Sequence, residues 1–176
     1  MKLKFFKESL QFKNPAGTSR GVLTEKSSWI FYLEEHPNIR GECSIIPGLS
    51  LDYKSDEQYE SKIKWVCQTF NSIIEKQDQV VLLSYFSNEL GVFPSILFGI
   101  ETLIYNLNLE RGVDSFESEF SNNKKGIPIN GLIWMGSSDE MISRLGQKVK
   151  EGYKILKLKI GAIEFSKELN ILQLIR

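Results

Sequence analysis

Over the first third of the chain, apolar residues recur at every second position. Leu3 and Phe5, then Leu10 and Phe12, alternate with polar positions in residues 2–13, with lysines on the other face. This period predicts a half-buried strand. Asn14-Pro15-Ala16-Gly17-Thr18-Ser19-Arg20-Gly21 follows and reads as a polar, glycine-containing loop. Trp29, Phe31 and Leu33 then alternate up to the turn cluster Glu35-His36-Pro37-Asn38, and Ile39, Gly41, Cys43 and Ile45 continue the period. Strand, turn and strand predict a hairpin. His36, beside a proline in that turn, is expected to be solvated rather than catalytic.

The period then changes. Ser55 and Gln58 have the spacing of a capping box, and Tyr59, Ile63, Val66, Cys67, Phe70, Ile73 and Ile74 recur every three or four residues, which predicts an amphipathic helix. Cys67 lies on that stripe, so a core thiol is expected there. Pro94 suits the first turn of a second helix. Its apolar positions, Ile96, Leu97, Ile100, Leu103, Ile104 and Leu107, cover so much of the circumference that it should be largely buried. Gly99 inside it costs about 1 kcal/mol against Ala, which suggests close backbone packing. Glu101 on such a helix is expected to be a paired structural carboxylate.

Ser115–Lys125 is polar and turn-rich, which divides the chain into domains 1–125 and 126–176. Beyond it the pattern alternates. Ile129–Met135 reads as a strand, and Ser137 with Glu140 as a capping box. Met141, Leu145 and Val149 mark a helix, with Gly152 as its stop. Ile155–Gly161 is a second strand, and Phe165, Leu169, Leu172 and Ile175 begin another helix. Two βα units with short links imply a parallel sheet.

Composition narrows the classes. The chain has 176 residues, with 22 basic and 22 acidic side chains. That length suffices for a real core, and the balanced charge argues against a nucleic-acid or anionic-lipid footprint. No apolar run reaches the roughly 18–20 residues of a membrane span, and the lysine-dotted N-terminus lacks a signal-peptide core. Cys43 and Cys67 match no zinc spacing, and a single histidine excludes a multi-histidine metal site. A cytoplasmic globular protein with free buried thiols is expected.

The chemistry-bearing segment is Ile155-Leu156-Lys157-Leu158-Lys159-Ile160-Gly161. On a strand, Leu156, Leu158 and Ile160 face one way, and Lys157 and Lys159 the other. Two ammonium groups on one face of a parallel strand are costly unless that face opens onto a polar site or solvent. A surface strand with a solvated lysine face accounts for the pattern. A catalytic pair does so too, because a neighbouring cation and desolvation pull a lysine toward the neutrality that a general base needs.

Several stretches together carry a resemblance. They are Gly17-Thr18-Ser19-Arg20-Gly21, Gly41-Glu42-Cys43 with Pro47-Gly48-Leu49-Ser50, and Pro94-Ser95-Ile96-Leu97-Phe98-Gly99-Ile100-Glu101. Ile127-Pro128-Ile129-Asn130-Gly131 and Gly152–Gly161 continue the series. In this order and spacing the chain resembles the start of the o-succinylbenzoate synthases, in the muconate-lactonizing branch of the enolase superfamily. The dipeptide epimerases and N-acylamino acid racemases of that branch share the lysine pair and the lid.

The resemblance implies an α+β capping domain, an antiparallel hairpin sheet plus helices, followed by the first β/α units of a TIM-type (β/α) barrel. It implies a Mg²⁺-assisted lyase of menaquinone biosynthesis, which abstracts the proton α to a carboxylate and dehydrates its substrate to o-succinylbenzoate. Lys159 would be the base, as is general for enolase-superfamily sites with a lysine or histidine base, and Lys157 its neighbour on the substrate carboxylate. Thr18, Ser19, Arg20 and Gly21 would form a lid over a small-molecule carboxylate substrate; a flexible polar loop is the plainer alternative.

A whole barrel needs about 250 residues, and about 50 follow residue 125. The family's metal ligands lie on later strands. The chain therefore reads as an N-terminal portion: a fragment, a truncated frame or one piece of a split protein. By itself it is expected neither to turn over substrate nor to bind Mg²⁺ tightly, and its open barrel edge invites self-association. A catalytically silent capping and interaction domain is the competing reading.

Overall fold

The computed structural model describes residues 1–18, 21–74, 79–113 and 117–175. Its elements run β1 (Leu3–Thr18), β2 (Gly21–Leu33), β3 (His36–Ser44), α1 (Asp56–Ile73), α2 (Gln79–Glu89), α3 (Pro94–Glu110), β4 (Gly131–Ile133), α4 (Ser138–Lys150), β5 (Leu156–Leu158) and α5 (Phe165–Ile175). The chain divides into two compact units. One comprises Met1–Leu10 with Lys26–Glu117, and the other Gln11–Glu25 with Ser118–Arg176.

The first unit is the α+β layer expected from the change of period. Its sheet has the order β1-β2-β3. In the β2–β3 ladder Trp29 faces Cys43 and Phe31 faces Gly41, and the register slips between Tyr32 and Leu33. Trp29, Phe31, Ile63, Phe70, Ile100 and Leu103 are all fully buried in one core. Helix α3 lies directly on β3 because two glycines leave room. A Cβ on Gly41 would stand 1.8 Å from the Gly99 carbonyl oxygen, and one on Gly99 would stand 2.4 Å from Cys43 Sγ. Phe93, before Pro94, offers α3 no side-chain cap. Asp52 does so from a distance: its carboxylate accepts from Ser95 N at 3.0 Å and from Ser95 Oγ at 2.5 Å.

Several expectations give way. Residues 14–18 continue strand β1 instead of looping. Pro15 is compatible with this because β1 is an edge strand, where a missing N–H costs no ladder bond. The turn falls on Glu34-Glu35, and His36-Pro37-Asn38 belong to β3. His36 is half-exposed, 3.4 Å from the Glu110 carboxylate. Helix α2 was not anticipated, although Leu82, Phe86 and Leu90 are fully buried at four-residue spacing. Ser55 caps α1 by accepting from Gln58 N, but Gln58 Oε1 is buried without a partner among the described residues, so the reciprocal half of the box is missing there. Glu101 makes no ion pair among the described residues.

In the second unit β4 and β5 pair in parallel, with Gly131, Leu132 and Ile133 opposite Leu156, Lys157 and Leu158. Ile133 packs with Met141 and Leu145 of α4 and Ile171 of α5, joined by Leu156, Leu158 and Ile163. The α4 capping box is complete: Ser137 accepts from Glu140 N, and Glu140 Oε2 accepts from Ser137 N at 2.8 Å. The expected stripe of α5 is displaced. Phe165, Leu169 and Leu172 are exposed, while Glu168 and Ile171 are buried.

Candidate active-site face

The β4–β5 register places both lysines. Residues opposite one another in a parallel pair share a face. Ile133, Leu156 and Leu158 turn toward the helices. Leu132 and Lys157 therefore turn to the other face, where both are exposed. One step along, Trp134 and Lys159 follow on that same face. Lys159 N donates to Ile133 O at 3.0 Å, so the backbone is still paired there although regular strand has ended. Lys159 is half-buried, with Nζ 5.2 Å from the centroid of the Trp134 ring. Neither lysine has a carboxylate partner among the described residues.

Loops at the carboxyl ends of both strands are held in place. Arg144 Nη1 donates to the carbonyls of Trp134 at 3.1 Å and Met135 at 3.2 Å. A Cβ on Gly136 would press on Glu140 and Arg144, so the turn at the end of β4 fits only a glycine without adjustment. After β5, Gly161 takes φ +101°, and its N–H donates to Glu168 Oε1 at 2.5 Å. Buried Glu168 thus closes the β5–α5 loop from inside.

Beside these loops lies a cleft of about 500 Å³ lined by Gly17, Thr18, Gly21, Val22, Met135, Gly136, Ser137, Gly161, Ala162 and Ile163. Of the expected lid residues, Thr18 and Gly21 line it, and Thr18 Oγ1 donates to Gly21 O at 2.8 Å. Ser19 and Arg20 lie outside the described residues. Lys157 and Lys159 are not among the lining residues. Sequence reasoning missed Trp134, although its alternation with Leu132 one strand away from the lysines was there to be read.

The acids do not fit a magnesium ion. Mg²⁺ needs near-octahedral oxygen ligands, usually with fixed carboxylates. Among the described residues no three His, Cys, Asp or Glu side chains come close enough to hold a metal. Glu140 and Glu168 are already used on backbone N–H groups.

An antiparallel sheet with packed helices, followed by parallel β/α units, is the fold that the chain shares with solved structures of an o-succinylbenzoate synthase and a dipeptide epimerase. The chain resembles an N-terminal portion of o-succinylbenzoate synthase. It is 36% identical, over its whole length, to the o-succinylbenzoate synthase of Desulfotalea psychrophila, and spans 54% of that protein. The solved MenC structure from the same organism matches 98% of the chain and 52% of its own, with 29% identity and a TM-score of 0.61. Two others share the fold. The Thermosynechococcus elongatus o-succinylbenzoate synthase, complexed with Mg in the active site, has 16% identity and a TM-score of 0.60, over 99% of this chain and 48% of its own. A dipeptide epimerase from Enterococcus faecalis has 16% identity and a TM-score of 0.68, over 99% and 49%. The chain thus spans about half the length of the relatives it matches. No family model matches it.

Proposed function

We propose that the chain supplies the capping domain and the lysine-bearing strand of an o-succinylbenzoate synthase-type lyase. The observation that carries this is the placement of Lys157 and Lys159 on one open face of a parallel strand, with no carboxylate partner among the described residues, in a chain 36% identical to such a synthase. Lys159, the less exposed, is the base that removes the proton α to the substrate carboxylate. Lys157 faces outward beside it and holds the carboxylate as a counter-charge. Thr18 and Gly21 line a cleft beside the strand ends, next to the lysine face rather than on it, and form part of the lid that would close over the acid. The substrate is a small carboxylic acid that loses hydroxide to become o-succinylbenzoate. Mg²⁺ is present in the T. elongatus relative, and in a completed enzyme it would supply stabilisation of negative charge on the substrate carboxylate. Ligands for it are not supplied by the described residues, and the 176-residue chain alone is expected to give no turnover in an o-succinylbenzoate assay. The open edges of the two-stranded sheet offer a route to self-association, which sedimentation would read.

A chimera tests the reading. Residues 1–176 replace the matching portion of the Desulfotalea psychrophila synthase, and o-succinylbenzoate formation is followed with Mg²⁺ present. Turnover is expected, and Lys159→Ala should lower it by about 10²–10⁴-fold, the usual contribution of a general base. A folded chimera that is inactive, or equally active without Lys159, would remove the proposal. Epimerisation of a dipeptide without dehydration would move the chain to the epimerases.

A further inference from the structure

We propose that Trp134 is a positioning residue for Lys159: its indole face is a platform that fixes the lysine ammonium on the open face of the β4–β5 sheet before any acid arrives. The catalytic consequence rests on the reading of Lys159 as a base; the contact itself does not. Lys159 Nζ stands 5.2 Å from the ring centroid, within the roughly 6 Å over which a cation is attracted to an aromatic face. No carboxylate among the described residues competes for that ammonium, so the ring is its principal attraction.

Both backbones are fixed where the two side chains meet. Arg144 holds the Trp134 carbonyl, and the Lys159 N–H is paired with Ile133 O. Lys157, opposite aliphatic Leu132 and exposed, has no such platform among the described residues. The two lysines are therefore unequal: one is held and one is free. Packing does not explain the choice of residue. Trp134 Nε1 is buried and finds no acceptor among the described residues. Phenylalanine would fill an apolar place without that orphaned donor, and such exceptions call for a reason. What tryptophan adds over phenylalanine is the strongest aromatic attraction for a cation.

The test uses the 176-residue chain with lysines ¹³C-labelled at Cε, observed by NMR. The Lys159 Hε signal, assigned by its loss in K159Q, should lie upfield of the Lys157 signal, assigned by K157Q, because it sits over a ring. W134L should return it to the Lys157 position, and W134F should retain part of the shift. A second readout needs no Trp134 variant: the indole N–H signal of Trp134 should move in K159Q and stay in K157Q. Coincident lysine signals in the unsubstituted chain, or an indole signal indifferent to K159Q, would overturn the platform. In the chimera, W134L should lower kcat by roughly 2–5-fold with KM little changed, because the positive charge that Lys159 gains as it takes the proton meets the ring in a cation–π contact of about 0.5–1 kcal/mol, and W134F should restore most of it. A rise in KM alone would overturn positioning. A chimera inactive without any substitution would remove the functional reading and leave the platform to be decided by the spectra.

Discussion

The first compact unit gathers twenty buried apolar residues of the described chain in one cluster, from Leu3 to Leu107, whereas the cluster of the second holds four, Ile133, Met141, Leu145 and Ile171. In the first, three strands and three helices each turn an apolar face inward. In the second, helices cover a single face of a two-stranded sheet. The other face carries Leu132 and the lysine pair, and Ile155, Ile160 and Phe165 are exposed as well. The difference separates two tasks. A dense core fixes a scaffold, and the thinly covered strands present cations that a dense core would have to neutralise.

The largest effects of substitution should therefore fall in the first unit. Leu103→Ala is expected to cost about 2–5 kcal/mol, since Leu103 is fully buried in the larger cluster. Gly41→Ala should cost at least the roughly 1–3 kcal/mol of overpacking, because the clash is with the backbone of α3. Thiol labelling reads both. Burial pushes Cys67 up to about 12 and Cys43 well above its usual range. At pH 8 a thiolate with a pKa near 12 is about one part in 10⁴, so labelling reports opening of this unit. Unchanged labelling in either variant would mean that the core is not where these residues are.

Ile171→Ala, in the second unit, should cost about 1–2 kcal/mol, less than Leu103→Ala. Ile171 is fully buried, but its cluster is small, and a cavity costs less where fewer packed neighbours surround it. Hydrogen exchange of the β4 and β5 amides would follow it. A cost equal to that of Leu103→Ala would erase the contrast between the units.

What could be read in the sequence follows the same contrast. The first unit was legible because long stripes must bury against one another: Trp29, Phe31, Ile63, Phe70, Ile100 and Leu103 reach the core they were expected to reach, and Gly99 marks the predicted close approach. Its failures are local. Pro15 reads as a breaker until the strand is known to be an edge, and helix α2 hides because Val80 and Val81 obscure the spacing of Leu82, Phe86 and Leu90. In the second unit the lysine alternation was legible, but the buried face of α5 was not. Phe165, Leu169 and Leu172 are more apolar than Glu168, yet Glu168 is buried because its carboxylate takes the Gly161 N–H. Trp134 went unnoticed for a related reason: its role depends on a neighbour 25 positions away, which only strand register brings beside it.

The smallest effect expected lies on the acid side and compares one carboxylate from each unit. Glu42 is held below its ordinary value of 4.5, first by the Ser28 hydroxyl at 2.6 Å and then by the Lys26 ammonium at 2.9 Å. Glu140 is lowered too, first by the Ser137 N–H and then by the Ser137 hydroxyl of the capping box, and is exposed. A carboxyl whose folded value lies below its unfolded one adds stability that is complete above the unfolded value. That stability disappears as pH falls through the folded value. Both contributions are therefore present at neutral pH and fade below about pH 4.5. Glu42 is partly covered, so after solvent screening Glu42→Gln should cost roughly 0.2–1 kcal/mol at pH 7 and nothing near pH 2. Urea midpoints for the first unit should thus converge between Glu42→Gln and the unsubstituted chain as the solution is acidified. Glu140→Gln should instead fray the first turn of α4, seen in exchange of the Ser137 and Glu140 amides, and leave the first unit's midpoint unmoved. Parallel acid profiles for Glu42→Gln and the unsubstituted chain would show that the Ser28 and Lys26 contacts do not hold this carboxylate in its charged form.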